Sequence, residues 1–562
     1  MIMGEQPQES HPCPWLSHYP RDLQSDQRPA TGHILDAFKA NVNRAPDGEA
    51  LRYFDASLTF HELDGLSDAF SVWLQEHHVK PGDRVGIILQ NVPHFVIAAL
   101  AAWKGGAIPV PGNPMYKADE LARIFADYTP AAIVCHDDHL ATVRLALEAA
   151  GLASVAIASA NARDFQSRND ERVLPPRLAN GAHDFLAICN ARAARVPAEV
   201  ARDSGSTGLI LYTSGTTGVP KGAVISHSSL IFNAHTSGRW MHLSNRSRIL
   251  GLAPLFHITG FVLHMAVGFV AGCSVALQYR FQPDAVLEML RAYRPTFTIA
   301  AITAFNALMN APAAAKDDFV SFEHVFSGGA PIAPALREVV REKLGIELWP
   351  VYGMTESCSP THIAPPGLAI PVHPEIGALS VGLPISFTDS RIAGPDGEIL
   401  PPGSAGEIWM RGPQIMTGYW NKPEETAEAL RDGWLRSGDV GIMDQDGWFY
   451  VIDRQKDMIN ASGFKVWPRE VEDVLLEHPA IREAAVIGVP DSYRGETVHA
   501  FVSLRREAAA VDQIVLVQHC RARLAAYKVP RKIRIVDELP KTPTGKIQRA
   551  ALRERSFARD SR

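Results

Sequence analysis

The stretch YTSGTTGVPKG, Tyr212 to Gly222, gathers Gly215, Gly218 and Gly222, the hydroxyls of Tyr212, Thr213, Ser214, Thr216 and Thr217, and one lysine, Lys221, directly behind the apolar run Gly208 to Leu211. A strand that breaks into such a loop offers backbone N–H groups, hydroxyl donors and a mobile positive charge, which together suit a polyphosphate. The pattern is not the Walker type. Lys221 is followed by Gly222 rather than by Ser or Thr, so the hydroxyl that would bind magnesium after the lysine is absent. A flexible linker is the plain alternative, but linkers seldom place a fixed Pro-Lys-Gly after their glycines.

Other stretches hold residue types of use to the same chemistry. SGGAPI contributes Gly328, Gly329, Ala330 and Pro331, whose small residues let a flat ring lie against backbone. VYGMTES contributes Tyr352, Gly353, Thr355 and Glu356, the last an oxygen ligand suited to magnesium. Asp439 and Arg454 lie in the run Asp432 to Leu475, Lys546 in PKTPTGKIQR, and His257 in PLFHITGF. Each alone is weak: Gly-Gly turns are common, most Asp/Arg pairs are surface salt bridges, and a strand-end histidine is more often structural.

The elements that must position these residues alternate. Helical spacing over Ile34 to Ala45 and over a segment capped by Thr59 is followed by an apolar strand (Val85 to Leu89), a helix (Pro93 to Lys104) and further strand and helix signals to Cys135. Asn161 to Ser206 reads as surface connection. The alternation resumes from His227 to Phe326, and the run Gly260 to Leu277 reads as a buried helix entering a strand rather than a membrane span. From Gly377 to Trp420 short strands broken by Gly and Pro predict a small β-subdomain. The predicted fold class is α/β: a large N-terminal domain of wrapped α/β sheets plus that subdomain, over residues 30–455, and a mobile α+β C-terminal domain over 456–562. Residues 1–29, rich in Pro, Ser, Gln and His, read as a loosely ordered tail.

Composition agrees with a globular protein. Of 562 residues 46% are hydrophobic, and the net charge of -6 argues against a nucleic-acid binder. Six scattered cysteines without a CxxC indicate neither a disulfide framework nor a zinc site, and no secretory signal is visible, so a cytoplasmic setting is expected.

With these stretches in this order, the chain from about Ile34 resembles the adenylate-forming superfamily, which includes acyl-CoA synthetases, luciferases and peptide-synthetase adenylation domains. The texture of KDMINASGFKVWPREVEDVL and of NPMYKADELARIF is similar to bacterial medium- to long-chain fatty acyl-CoA synthetases. The resemblance implies ATP, CoA and Mg2+, and a carboxylate that attacks the α-phosphate of ATP before a thiol displaces AMP. It implies that Thr213 to Thr217 and Lys221 hold the β- and γ-phosphates, that Gly328 to Pro331 with Tyr352, Gly353 and Thr355 form the adenine side of the nucleotide site, and that Asp439 and Arg454 hold ribose. It makes Glu356 the magnesium ligand, Lys546 the catalytic lysine, His257 a gate beside the acyl carboxylate and Lys456 the hinge. Ser462, Gly463 and Phe464 are implied as the lining of the CoA tunnel.

The acyl group is the least legible part. Phe256, Phe261, Val262, Ile302, Thr303, Phe305 and Cys358 are the candidate pocket residues, mostly apolar and without a Lys or Arg to meet a second carboxylate. That favours a hydrocarbon or aromatic tail, and a ligase for medium- to long-chain fatty acids is the leading reading. An aryl-acid CoA ligase differs only in pocket shape. A fatty acyl-AMP ligase serving a carrier protein is expected to carry an insertion between the domains, and none stands between Asp453 and Lys456. A nucleotide-binding pseudoenzyme is expected to have lost Lys221, Glu356 or Lys546, and all are present. No membrane anchor is read; peripheral membrane contact and a homodimer stay open.

Overall fold

The structure, a computed structural model, describes residues 13–24, 30–176, 184–213, 220–454, 457–461, 464–491, 495–505, 511–542 and 546–560. Strands covered on both faces must be apolar throughout, and the first sheet obeys this. Arg84–Ile88, Ile108–Pro111, Ala132–His136 and Ala156–Ala160 pair in parallel, and every residue of Ile108–Pro111 and Ala132–His136 is buried. Helix Pro93–Lys104 connects two of them and has no polar face, all its residues being buried, as a core helix requires. Its proline stands in the first turn, where a missing N–H costs no hydrogen bond. Helix Phe60–Glu76 starts at a reciprocal cap: the Glu62 N–H donates to Thr59 Oγ1 at 3.1 Å and the Thr59 N–H to Glu62 Oε2 at 2.8 Å.

A second, nine-stranded sheet carries the middle of the chain. Its strands Arg248–Gly251, Phe297–Ala300, His324–Ser327 and Leu348–Met354 run parallel. Alternate residues face opposite sides. Phe297, Ile299 and Phe326 join one core cluster, whereas Leu250, Ala300, Val325 and Leu348 join another. The segments after Gly251, Ser327 and Met354 therefore leave the sheet at the same edge.

A hairpin of Thr207–Thr213 and Lys221–Ser226 is extended by the short strand Gly418–Tyr419. Antiparallel strands Asp389–Ala393, Gly406–Arg411, Trp434–Met443 and Phe449–Arg454 build the β-subdomain. The C-terminal domain has its own core, in which Ile459, Val471, Leu475, Val486, Val498, Leu516 and Ile533 are buried together. The α/β class with a β-subdomain and a separate C-terminal domain is thus the fold the sequence predicts.

Two readings need correction. Residues 13–24, expected in a loose tail, form the turns Pro14–His18 and Arg21–Gln24, and Trp15, Tyr19 and Leu23 are buried. The Tyr19 hydroxyl donates to the Pro384 carbonyl at 2.5 Å and its ring meets Trp240 edge-on at 4.9 Å. Spaced apolar anchors thus outweigh a polar local composition. The connection Asn161 to Ser206 is likewise not all surface: helix Phe185–Asn190 packs inward, with Phe185 stacked on Phe70 at 4.3 Å. Phe261–Ala266 winds as a buried π-helix, then Val267–Ala271 as α-helix, before strand Ser274–Leu277. Among the described residues no helix is long and apolar enough to cross a membrane.

Candidate active site

The parallel strands of the nine-stranded sheet deliver the site to their carboxyl edge, where ligands of such sheets are usually met. Strand His324–Ser327 ends in Gly328 and Gly329, and Gly329 has φ +77, a conformation that favours glycine. A Cβ built there would lie 3.2 Å from Lys546 Cε and 3.9 Å from Lys546 Nζ. The lysine of the C-terminal domain therefore reaches across to this loop. Its own backbone is fixed, since the Lys546 N–H donates to Thr542 Oγ1 at 3.0 Å and the Thr542 N–H to the Lys546 carbonyl at 2.7 Å.

His257 faces the same lysine from the segment after Arg248–Gly251. The Thr259 N–H donates to its Nδ1 at 3.3 Å, which fixes the ring and leaves Nε2 for other contacts. Burial, and secondly the Lys546 ammonium, push the imidazole down to about 3. It is neutral at physiological pH and can accept or donate a hydrogen bond without adding charge.

Strand Leu348–Met354 brings in Tyr352, whose hydroxyl donates to Asp439 Oδ2 at 2.8 Å. Asp439 lies opposite Arg454 in the pairing of Trp434–Met443 with Phe449–Arg454. An aromatic face and a carboxylate are thus held side by side, a combination able to take a base and a vicinal diol. Gly353 has a simpler reason to be small: a Cβ there would lie 2.2 Å from the Ser359 carbonyl oxygen.

Glu356 follows in the turn Thr355–Ser357 and is 7% exposed. The Tyr419 hydroxyl donates to its Oε1 at 2.7 Å, and the ring of Tyr419 has Lys221 Nζ 5.3 Å from its centroid. Among the described residues no other hydrogen bond reaches the Glu356 carboxylate, and no ion pair joins it to Lys221. A carboxylate with one oxygen committed and one left over fits Mg2+, which is commonly held by one or two protein carboxylates together with phosphate oxygens. No group of three His, Cys, Asp or Glu side chains that could hold a metal occurs among the described residues, so a fully protein-built cage is not offered.

Tyr419 was not among the residues that the sequence points to. Its place depends on the pairing of Gly418–Tyr419 with Lys221–Ser226, a contact between distant segments that no local spacing reveals. Arg549 was missed as well. Its Nη2 donates to both Glu472 oxygens at 2.9 Å, and its Nη1 lies 3.6 Å from Asp453 Oδ1 and 3.5 Å from Asp457 Oδ2. One guanidinium therefore holds carboxylates from before and after residues 455–456.

The acyl candidates are shared between two core clusters. Phe256, Phe261, Val262 and Cys358 are buried in one core cluster, whereas Ile302 and Phe305 pack in the other with Leu290 and Leu308; Thr303 is half-buried. The Cys358 thiol is turned to the Ser229 carbonyl at 3.8 Å. A cavity of about 470 Å³, lined by His33, Trp103, Lys104, Arg202 and His227 among others, lies beside Thr207, at the start of the strand Thr207–Thr213. Its cations are paired, Lys104 with Asp64 and Asp68 and Arg202 with Asp36, so it presents no spare charge to an acid or a phosphate. Ser214, Gly215, Thr216 and Thr217, together with Lys456, Ser462 and Gly463, lie outside the described residues, as do the side chains of Arg454 and Phe464. Thr213 and Lys221 pair across the hairpin, so the two ends of the loop are set.

Residues 38–420 match the AMP-binding enzyme family, and residues 470–546 match the AMP-binding enzyme C-terminal domain. The chain is 34% identical to a long-chain-fatty-acid–CoA ligase of Bacillus subtilis (strain 168), over 96% of this chain and 98% of that protein. It is 35% identical to a feruloyl-CoA synthase of Amycolatopsis sp, over 91% of this chain and 96% of that one. Its fold superposes on ATP-bound MatB from Rhodopseudomonas palustris with a TM-score of 0.82 at 26% identity, covering 93% of this chain and 98% of that structure.

Proposed function

The chain belongs to the AMP-binding enzyme family as an ATP-dependent, AMP-forming acid–CoA ligase, and from that premise we propose that its acid is a medium- to long-chain fatty acid. The observation that carries this reading is the buried apolar character of the residues flanking His257 in the chain: Phe256 is 7% exposed, Phe261 and Val262 0%, and none bears a charge. A neutral His257 beside them adds no cation for a second carboxylate. The likeness to a long-chain-fatty-acid–CoA ligase supports the same choice, and the likeness to a feruloyl-CoA synthase makes an aryl acid the alternative outcome of the test below.

A carboxylate acylates poorly because its leaving group would be oxide; attack on the α-phosphate of ATP converts that oxygen into part of AMP, with pyrophosphate leaving. The two reactants are both anions. Lys546, reaching the Gly329 loop and within electrostatic range of His257, is placed to lie between carboxylate and nucleotide and reduce their repulsion. Lys221 and the hydroxyls of the loop would hold the triphosphate, Tyr352 the adenine, and Asp439 with Arg454 the ribose. Mg2+, when bound at Glu356 and the phosphates, supplies positive charge beside the pyrophosphate that leaves. In the second half-reaction the CoA thiol displaces AMP. We place the divide between the domains at residues 455–456, with Lys456 as the hinge about which the C-terminal domain turns to withdraw Lys546 and bring Ser462, Gly463 and Phe464 to the thiol's path. The six cysteines are free thiols, which supports a reducing, cytoplasmic setting.

The deciding experiment is a screen of acids from acetate to palmitate, with benzoates and ferulate, read as AMP release. Each buried methylene is worth about 0.8 kcal/mol, so kcat/KM is expected to rise roughly fourfold per carbon until the pocket is filled. A preference for acetate overturns the fatty-acid reading, and a preference for ferulate or benzoate replaces it with the aryl one.

A further inference from the structure

Between the lysine that closes the phosphate-binding loop and the carboxylate assigned to Mg2+ stands an aromatic ring that neither assignment uses. Tyr419 is opposite Ala223 in the strand pairing, and Lys221 projects on the same face of its strand as Ala223, so lysine and tyrosine are diagonal neighbours. The backbone of Tyr419 is anchored: its N–H donates to Thr426 Oγ1 at 2.8 Å, and the next N–H, of Trp420, donates to the Gly222 carbonyl at 2.7 Å. From that fixed base the hydroxyl reaches Glu356 Oε1 at 2.7 Å while the ring receives Lys221 Nζ at 5.3 Å from its centroid.

Without the ring, a flexible ammonium and a buried carboxylate in one site would attract each other, and the resulting pair would have to be broken before either could serve a nucleotide. A carboxylate oxygen can only accept, so the Tyr419 phenol is the donor in this contact. A cation over an aromatic face is attracted but not neutralised.

We propose that Tyr419 is a positioning residue that keeps Lys221 and Glu356 separately available: its hydroxyl fixes the carboxylate with one oxygen left for Mg2+, and its ring holds the ammonium short of an ion pair. This rests on the roles given above to Lys221 and Glu356. It adds that the metal-dependent and metal-independent parts of nucleotide affinity pass through different parts of one side chain.

The test is calorimetric binding of ATP, with Mg2+ and in EDTA, to the full chain and to Tyr419→Phe, Tyr419→Leu, Glu356→Gln and the Glu356→Gln/Tyr419→Phe pair. Tyr419→Phe keeps the ring and is expected to reduce the gain in ATP affinity that Mg2+ gives by about tenfold, the usual scale for a hydrogen bond to a charged group, with EDTA affinity unchanged. Tyr419→Leu is expected to lower EDTA affinity as well, by roughly threefold, as Lys221 falls onto Glu356. The double variant should lose no more than Glu356→Gln alone. An unchanged Mg2+ gain in Tyr419→Phe, a loss that adds to that of Glu356→Gln, or an equal fall of both affinities together with the melting temperature overturns the proposal. If Glu356→Gln itself keeps the full Mg2+ gain, the metal assignment fails rather than the tyrosine's part in it.

Discussion

Gly329→Ala tests whether Lys546 acts where the structure puts it. At φ +77 an alanine is strained, at a cost of about 1–2 kcal/mol, and its Cβ would stand 3.2 Å from Lys546 Cε, closer than carbon atoms rest comfortably. Something must give by a few tenths of an ångström, and the end of a lysine gives more readily than the backbone of a strand end. A displacement of 1 Å at a reacting centre can cost about a hundredfold, so a shift of part of that should lower adenylate formation by about tenfold, or 1.4 kcal/mol. The assay is acid-dependent pyrophosphate release, set against thioester formation from supplied acyl-AMP and CoA, with ATP affinity and melting temperature as controls. The first should fall about tenfold, the second by less than about twofold, since Lys546 is proposed to leave before the thiol attacks. Equal losses in both half-reactions would mean that the strain is general, and no loss in the first would mean that nothing near Gly329 needs Lys546; either refutes the reasoning.

Lys546→Ala, which removes the charge rather than displacing it, should reduce pyrophosphate release by about a hundredfold or more while sparing the thioester step, and equal loss of both would contradict the role. The buried histidines give a pH prediction. His136, His264 and His362 are pushed by burial from 6.5 down to about 3, so between those values the unfolded chain binds more protons than the folded one. Stability is therefore complete above about 6.5 and lost as pH falls toward 3, by up to about 1.4 kcal/mol per histidine per pH unit. Melting temperature should drop steadily from pH 7 to 5 and less steeply in His362→Gln; a flat profile would show that these rings are protonated in the fold.

Where local rules decide, the sequence was readable. Pro93–Lys104 stands as its spacing predicted, because a proline start and a continuous apolar pattern leave no competing conformation. Of the loop that the residue types proposed for phosphate, the structure describes the two ends, Thr213 and Lys221, paired across the hairpin. What was hidden depends on contacts between distant segments. Trp15 and Tyr19 looked like part of a polar tail because their partners, Phe449 and Trp240, lie far along the chain. The apolar character of Ile302, Phe305 and Phe261 is visible in the sequence, whereas the core cluster each joins is not, because it depends on the face of the sheet on which a helix packs. Tyr419 was hidden for the same reason: its chemistry is made by a strand pairing.

The clasp formed by Arg549 constrains how such enzymes can be recombined. Asp453 belongs to the strand that ends the large domain, while Asp457, Glu472 and Arg549 itself come from beyond residues 455–456. A chimera spliced at that seam would separate an arginine from one of its counterions and leave a nearly buried aspartate facing a stranger. Splicing ahead of Asp453 transplants the whole knot intact, so the workable suture for exchanging carboxy-terminal modules lies a few residues upstream of the proposed hinge.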